Sequence, residues 1–408
     1  MELLGRFQKL TAVQRNTFIA CFLGWSLDAF DFFILILCVN ALATQFHEKV
    51  SAITQAIFWT LAMRPVGAFL FGLMADRFGR RITLMIDIIA YSVFELASAF
   101  SPSLPVFLVM RALFGIAMGG EWGVGAALTF ETLPTEGRGF FSGLLQEGYV
   151  VGYLLAAVVY RTLFPIVGWR GMFVIGALPA FLVIYIRTKV EESPAWLQGR
   201  VARTGQSRIS KDIFSYLGIF AFLIVLMFAF NSLSHGTQDL YPTFLERNLH
   251  FTPQTTGLIV IIYNLGALLG GILFGTISEK IGRRRAIVIA AVLAIPIIPL
   301  WAYSHSVPML ALGGFLMQFM VQGAWGVIPA HLNELSPPEV RGTFPGLAYQ
   351  LGNFFSSKNA VIQAKLAESR YAGRYPPVLA WTVLIIASLV ALVTTLGRER
   401  TGADLSQT

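Results

Sequence analysis

GLMADRFGRR, residues 72–81, returns as GTISEKIGRR, residues 275–284. Gly72, Asp76, Arg77, Gly79, Arg80 and Arg81 fall on Gly275, Glu279, Lys280, Gly282, Arg283 and Arg284, a constant offset of 203. The same offset carries Trp122-Gly123 onto Trp325-Gly326 and Gly143 onto Gly346. It also carries Glu131, Pro134, Glu136, Arg138 and Gly139 onto Glu334, Pro337, Glu339, Arg341 and Gly342. One unbroken offset through three separate segments marks an internal repeat half a chain long.

What repeats is membrane-spanning. Hydrophobic residues are 56% of the 408 and charged ones 13%. The mean hydropathy is +0.68, too apolar to clothe a soluble surface. Apolar stretches long enough to cross a bilayer are expected at 16–43, 51–75, 81–101, 105–129, 138–162, 169–188, 212–240, 253–278, 285–305, 308–332, 341–367 and 376–397. They are numbered below as spans one to twelve. The fold class expected is therefore all-α: a first six-helix bundle over 1–190, a linker over 191–211, and a second bundle with a short tail over 212–408. Polar, short Met1–Thr11 is not the start of a cleavable signal peptide.

The net charge of +8 does not indicate a nucleic-acid partner. With residues near the span ends counted in the adjoining loops, three of the 30 Lys and Arg (Arg64, Arg111 and Lys358) lie within spans and seven in the odd-numbered loops; the other 20 lie in the tails and even-numbered loops. That bias expects both termini in the cytoplasm of a cell (inner) membrane. Cys21 and Cys38, 17 residues apart on one helix, are too distant to pair.

The GLMADRFGRR loop, its echo, and Arg111-x-x-x-Gly115-x-x-x-Gly119 in span four resemble the major facilitator superfamily, over essentially the whole chain. The resemblance implies two parallel six-helix bundles around a midplane site. It also implies a cytoplasmic gate built from Gly72, Asp76, Arg77, Arg80, Glu131 and Arg138 with Glu279, Arg283, Glu334 and Arg341. Locally, Gly72 would let helices pack closely, and Asp76 can pair with a loop arginine.

Ionisable groups inside spans need a partner or a task. Asp28 and Asp31 lie one turn apart in span one and align with Asn231 and Ser234. Either can form a structural pair with Arg64 of span two or carry the coupling proton. In span four, Arg111 aligns with Gly314 and Glu121 with Ala324, so both exist in one half only. Arg111 is the candidate to clamp a carboxylate in two bonds and Glu121 a second substrate-binding candidate, the alternative being an ion pair of Arg111 with Glu121 or Asp31. Gln146 and Glu147, with Gln350 as the image of Glu147, are candidates to face the cavity. Asp87 and Glu95 read as peripheral or paired within the first bundle, and Lys358 as an outer, snorkelling residue. Phe32, Phe33, Phe140, Phe141, Phe354 and Phe355 suggest an apolar narrowing.

Span seven reads Asn231-Ser-Leu-Ser234-His235-Gly236-Thr237-Gln238-Asp239-Leu-Tyr241-Pro242-Thr243. Asn231, His235 and Asp239 at i, i+4 and i+8 would line one face. The stretch resembles the N-x-x-[S/T]-H-x-[S/T]-Q-D-x-x-x-T signature of lactate/pyruvate proton symporters in the sialate:proton symporter family. The W-x-x-D-A-x-D-F segment from Trp25 resembles that family too. The resemblance implies that Asn231, His235 and Asp239 handle substrate and proton, and that Arg111 binds the anion. It also implies symport of a small monocarboxylate with a proton, with a sialate or dicarboxylate as the alternative cargo and a monomer as the working unit. A channel lacks need of two matched gate loops, and a sensor would carry a signalling domain. An enzyme or ATP-driven pump is disfavoured: no G-x-x-x-x-G-K-[S/T] or H-E-x-x-H motif occurs. No cofactor or metal is expected beyond the proton as coupling ion.

Overall fold

A computed structural model describes residues 10–133, 138–194, 196–197, 216–336 and 344–400, which are helical throughout without a strand. Ten helices among them are long and apolar enough to cross a membrane. Spans one to four are Ala12–Phe46, Val50–Phe78, Arg80–Ala99 and Leu104–Thr132. One, two and four outrun their expected ranges because the helix continues through polar residues to its cap, whereas three stops two residues short. The Thr11 hydroxyl, for example, accepts from the Gln14 amide, and the Thr11 amide donates to the Gln14 side-chain oxygen in return.

Five and six share the helix Gly148–Ile175, which turns at Gly168 (φ 63°) after Pro165. Arg138–Gln146 precedes it as the start of five, and Leu182–Lys189 ends six. Seven divides into Leu217–Gln238 and Tyr241–Arg247, and eleven into Phe344–Ser356 and Asn359–Arg370. Eight is Pro253–Ile281, ten Val307–Leu335 and twelve Pro376–Leu396. Nine runs as Arg283–Ala294 and, past a 3-10 turn, Ile298–Ala302. Six and eleven, being made of short pieces, complete the twelve crossings. The fold is thus two six-helix bundles.

The repeat is visible in the packing. A Cβ added to Gly67 would lie 1.7 Å from the Ile116 carbonyl, and one added to its image Gly270 would lie 2.1 Å from Phe319, the image of Ile116. Only glycine lets spans two and four, or eight and ten, come this close. Phe71 packs on Gly120 as Phe274 packs on Gly323, again 203 residues on. Gly72 does not behave as expected: no described atom lies within 4 Å of a Cβ built there, so close packing belongs to Gly67 instead.

The charged loops lock each half to itself. Gly79 and Gly282 turn the chain at φ 101° and 95°. Arg80 then pairs with Glu131 at 3.2 Å and with Asp76 at 3.1 Å, and Arg283 pairs with Glu334 at 3.2 Å. Glu192 accepts from the amides of Arg80 (2.9 Å) and Arg81 (3.2 Å), and Glu399 from those of Arg283 (3.2 Å) and Arg284 (2.9 Å). Each carboxylate thus sits on a helix N-terminus, where anions are stabilised. The start of the expected linker packs onto the first half: Ser193 donates to Glu131, and the Trp196 indole donates to the Asp76 carbonyl at 3.0 Å. Arg77 lies over Phe78, and Arg77 and Glu279 are exposed. Arg341 lies outside the described residues, and of Arg138 only the backbone is described.

Hydrogen bonds between the halves gather at the end opposite these loops. There Asn40 and Tyr160 meet Glu246, and Ser51 meets Glu368. That end is closed.

Gly67→Val should destabilise the folded protein by about 1–3 kcal/mol or more, as an overpacked contact does. Gly72→Ala should leave stability unchanged. Thermal unfolding of the two variants in detergent, side by side, checks both.

Candidate site between the two halves

Span four delivers Arg111 to the interior of the first half. Its Nη1 donates to Glu95 of span three, and both residues are fully buried. The guanidinium stacks 4.0 Å from the Phe114 ring and 5.7 Å from that of Phe173. The sequence reading of Arg111 as a clamp in the cavity therefore meets a different geometry, in which its counter-charge is Glu95 rather than Glu121, Asp31 or a ligand. Asp31 lies beside Glu95 against Gly176, and Glu121 lies against Gly24 and Gly125. Asp28, Asp31, Asp87, Glu95 and Glu121 are all 0% exposed, against two equally buried guanidiniums, Arg64 and Arg111. Five carboxylates cannot all stay charged opposite two cations where there is no water. Charge balance in the first half needs protons.

Arg64 is the cation that reaches the interface. It precedes Pro65 midway along span two, where Gly119 of span four lies so close that a Cβ there would come 2.0 Å from the Arg64 carbonyl. The guanidinium lies 5.9 Å from the Trp25 ring of span one and 5.6 Å from the Tyr349 ring of span eleven, bridging the halves. Asp28 and Glu121 are within electrostatic reach. Its Nε and Nη2 are buried without a hydrogen-bond partner, an unusual state for donors that cannot lose their charge. Around it, Tyr349 packs on Trp122 (5.6 Å) and Trp325 (6.0 Å), and Trp25 on Tyr149 (5.7 Å). A planar cation in an aromatic box suits a carboxylate, which takes two of its N–H groups at once. The sequence carried the signal: Arg64 aligns with Ala267 and is as unpaired by the repeat as Arg111.

The span seven stripe divides. His235 Nδ1 and Asp239 Oδ1 lie 3.1 Å apart, and the imidazole meets Phe32 of the first half edge-on at 5.9 Å. Asp239 Oδ2 has no hydrogen-bond partner. Ser234, Thr237 and Gln238 turn toward span ten, where Gln318 and Gln322 join them in a buried network at 3.0–3.3 Å. Asn231 bonds the Met227 carbonyl and lies against Gly352 of span eleven, so it shares no interface with His235. Gly236 is a contact with Thr382 of span twelve. The helix then breaks at Asp239–Leu240, ahead of Pro242.

Gln350 is buried and accepts from Asn353 at 3.4 Å. Glu147 sits at the break in span five with Oε1 against Gly271 of span eight, and Gln146 accepts from the Trp122 indole at 3.2 Å. Phe32, Phe33 and Phe141 are buried, whereas Phe354 (45%) and Phe355 (54%) point outward and cannot narrow a cavity. Lys358 is exposed at the break in span eleven, and both cysteines are free. Among the described residues no cluster of three His, Cys, Asp or Glu could hold a metal ion.

Two pseudo-equivalent bundles enclosing a buried, polar and partly charged interface define a transporter of the alternating-access kind. Residues 16–216 match the family described as "Sugar (and other) transporter", and residues 239–406 match "Major Facilitator Superfamily". The chain belongs to the major facilitator superfamily, a family of membrane transporters and not of enzymes. It is 31% identical to a carboxylic acid transporter protein homolog of Saccharomyces cerevisiae over 91% of its own residues, and spans 64% of that relative's length. It is 28% identical to the sialic acid transporter NanX of Escherichia coli, over 95% of both chains. The fold superposes on the partially occluded, inward-open xylose transporter XylE of E. coli with a TM-score of 0.79, at 20% identity, covering 97% of this chain and 100% of that one. This last likeness is of fold alone.

Arg111→Ala should cost about 3–5 kcal/mol, because it strands a buried carboxylate. Pairing it with Glu95→Gln should restore most of that loss. Unfolding temperatures of the single and double variants measure the difference.

Proposed function

We propose that the protein is a proton-coupled symporter of a small organic acid, a monocarboxylate of the lactate or pyruvate kind. The observation that carries this reading is Arg64, a buried guanidinium with two unpartnered nitrogens between Trp25 and Tyr349 on the seam of the halves. It has the charge and the fork for one carboxylate. The span seven signature and the carboxylic acid transporter among its relatives support the same substrate class. A sialate or other sugar acid is the second reading, favoured by the match along 95% of both chains to a sialic acid transporter.

Protons enter through the first-half carboxyl cluster, with Asp28 beside Arg64, and through the His235–Asp239 pair. Substrate anion and proton together offset charges that neither could bear alone in the closed interface. A monoanion with one proton moves no net charge, so the pH gradient alone drives the cycle. The bundles rock about the seam, with the charged loops and both termini in the cytoplasm of a cell membrane, as the Lys and Arg bias implies. The Arg80–Glu131 and Arg283–Glu334 pairs keep each loop end rigid while the halves part. One chain is the working unit, and no cofactor takes part.

Proteoliposomes with an imposed pH gradient should accumulate labelled lactate or pyruvate, and a valinomycin-set membrane potential should not change the rate. Arg64→Gln should abolish saturable uptake and Arg64→Lys should retain a fraction of it, since lysine keeps the charge but not the fork. Asp28→Asn should keep counterflow exchange and lose accumulation. Saturable uptake undiminished in Arg64→Gln would remove Arg64 from the site, and uptake of labelled sialate alone would select the second reading.

A further inference from the structure

The end of the molecule opposite the charged loops is held shut in large part by two carboxylates of the second half. Glu246, at the end of span seven, accepts from Tyr160 of span five at 2.7 Å on one oxygen and from Asn40 of span one at 2.8 Å on the other. Arg247 donates to the Asn40 carbonyl oxygen at 2.8 Å, which fixes the amide so that its NH2 must face Glu246. On the neighbouring seam, Glu368 of span eleven accepts from the Ser51 amide (2.9 Å) and the Ser51 hydroxyl, both at the start of span two. In each case a carboxylate of the second half uses both oxygens on neutral donors of the first half, and Glu246 also interacts with the Thr256 hydroxyl of its own half. The locks at the other end are Arg–Glu pairs within a half.

A carboxylate can accept on both oxygens, whereas a carboxylic acid turns one oxygen into a donor. Protonated Glu246 could keep both partners only if the Tyr160 hydroxyl turned from donor to acceptor, and both bonds would lose the strength that the carboxylate charge lends them. We propose that Glu246 and Glu368 form a proton-operated latch: deprotonated they hold this end closed, and protonated they release it. Other ionisable groups near Glu246 are Cys38 and Tyr160 from the first half and Arg247 on its own helix; Tyr375 lies within reach of Glu368 and Arg247. Lys365 and Arg370, on the helix of Glu368, are exposed. None offers a competing acceptor for Asn40. The latch would open the transporter at this end when the compartment that it faces is acid, before substrate arrives, and is independent of which acid is carried.

The test is an electron-electron resonance distance measurement on the full chain in nanodiscs. Spin labels go at Gln45→Cys and Ser369→Cys, exposed positions on opposite halves at this end, in a Cys21→Ala/Cys38→Ala background. Going from neutral to mildly acid buffer should raise the ratio of long to short distances. Glu246→Gln should show a roughly fivefold higher ratio already at neutral pH, the effect of one ordinary hydrogen bond lost, and little further response to acid. Tyr160→Phe and Asn40→Ala, which remove the donors without touching a titratable carboxyl, should likewise open this end at neutral pH. A distance distribution that ignores pH, an undiminished pH response in Glu246→Gln, or both donor variants remaining closed would overturn the proposal. No substrate enters the readout, so failure of the uptake experiments would leave it standing.

Discussion

A guanidinium or carboxylate withdrawn from water must find an opposite charge, a set of hydrogen bonds or a proton, and that requirement shapes the first half of this protein. Arg111 and Glu95 pair with each other inside the bundle. Arg64 has no such mate and faces the other half instead. The second half solves the problem differently, with hydroxyls and amides from Ser234, Thr237, Gln238, Gln318 and Gln322 bonded to one another between spans seven and ten. The first half therefore stores most of the buried charge and the second, apart from the His235–Asp239 pair, presents neutral polar groups, although both descend from one repeated plan.

The plan itself survives in what carries no charge at the centre. Gly67 on Ile116 and Gly270 on Phe319, Phe71 on Gly120 and Phe274 on Gly323, are the same contacts made twice. The peripheral ion pairs Arg80–Glu131 and Arg283–Glu334 repeat as well. Helices in a bilayer gain little from the hydrophobic effect against one another, so close backbone approach through glycine must supply the cohesion.

Much of this was legible in the sequence, because the contacts that define the scaffold fall on identical or similar residues at one offset. The pairing of Arg111 was not. Its partner lies 16 residues away on a different helix, and nothing in periodicity says which neighbouring span faces which. Arg64 could have been found, since its image is Ala267, but a presumed structural pair with an aspartate obscured it. The stripe from Asn231 to Asp239 spreads for a geometric reason: at 3.6 residues per turn its ends stand roughly 80° apart around the helix axis, and Asn231 and His235 about 40°. Asn231 accordingly meets span eleven while His235 meets Phe32. Gly72 was misjudged because a glycine beside a charged loop looks like a packing residue, whereas the tight crossing lies at Gly67.

Spans two, four, eight and ten run as uninterrupted helices sealed against each other, while five, seven and eleven are interrupted at Glu147, at Asp239–Leu240 and at Ser357–Lys358. The molecule thus combines two stiff beams per half with jointed members along the seam. Bending at those joints can bring the walls of the seam together without any separate flap of polypeptide. Size selection would then reside in how far three joints can flex rather than in the dimensions of a preformed hole.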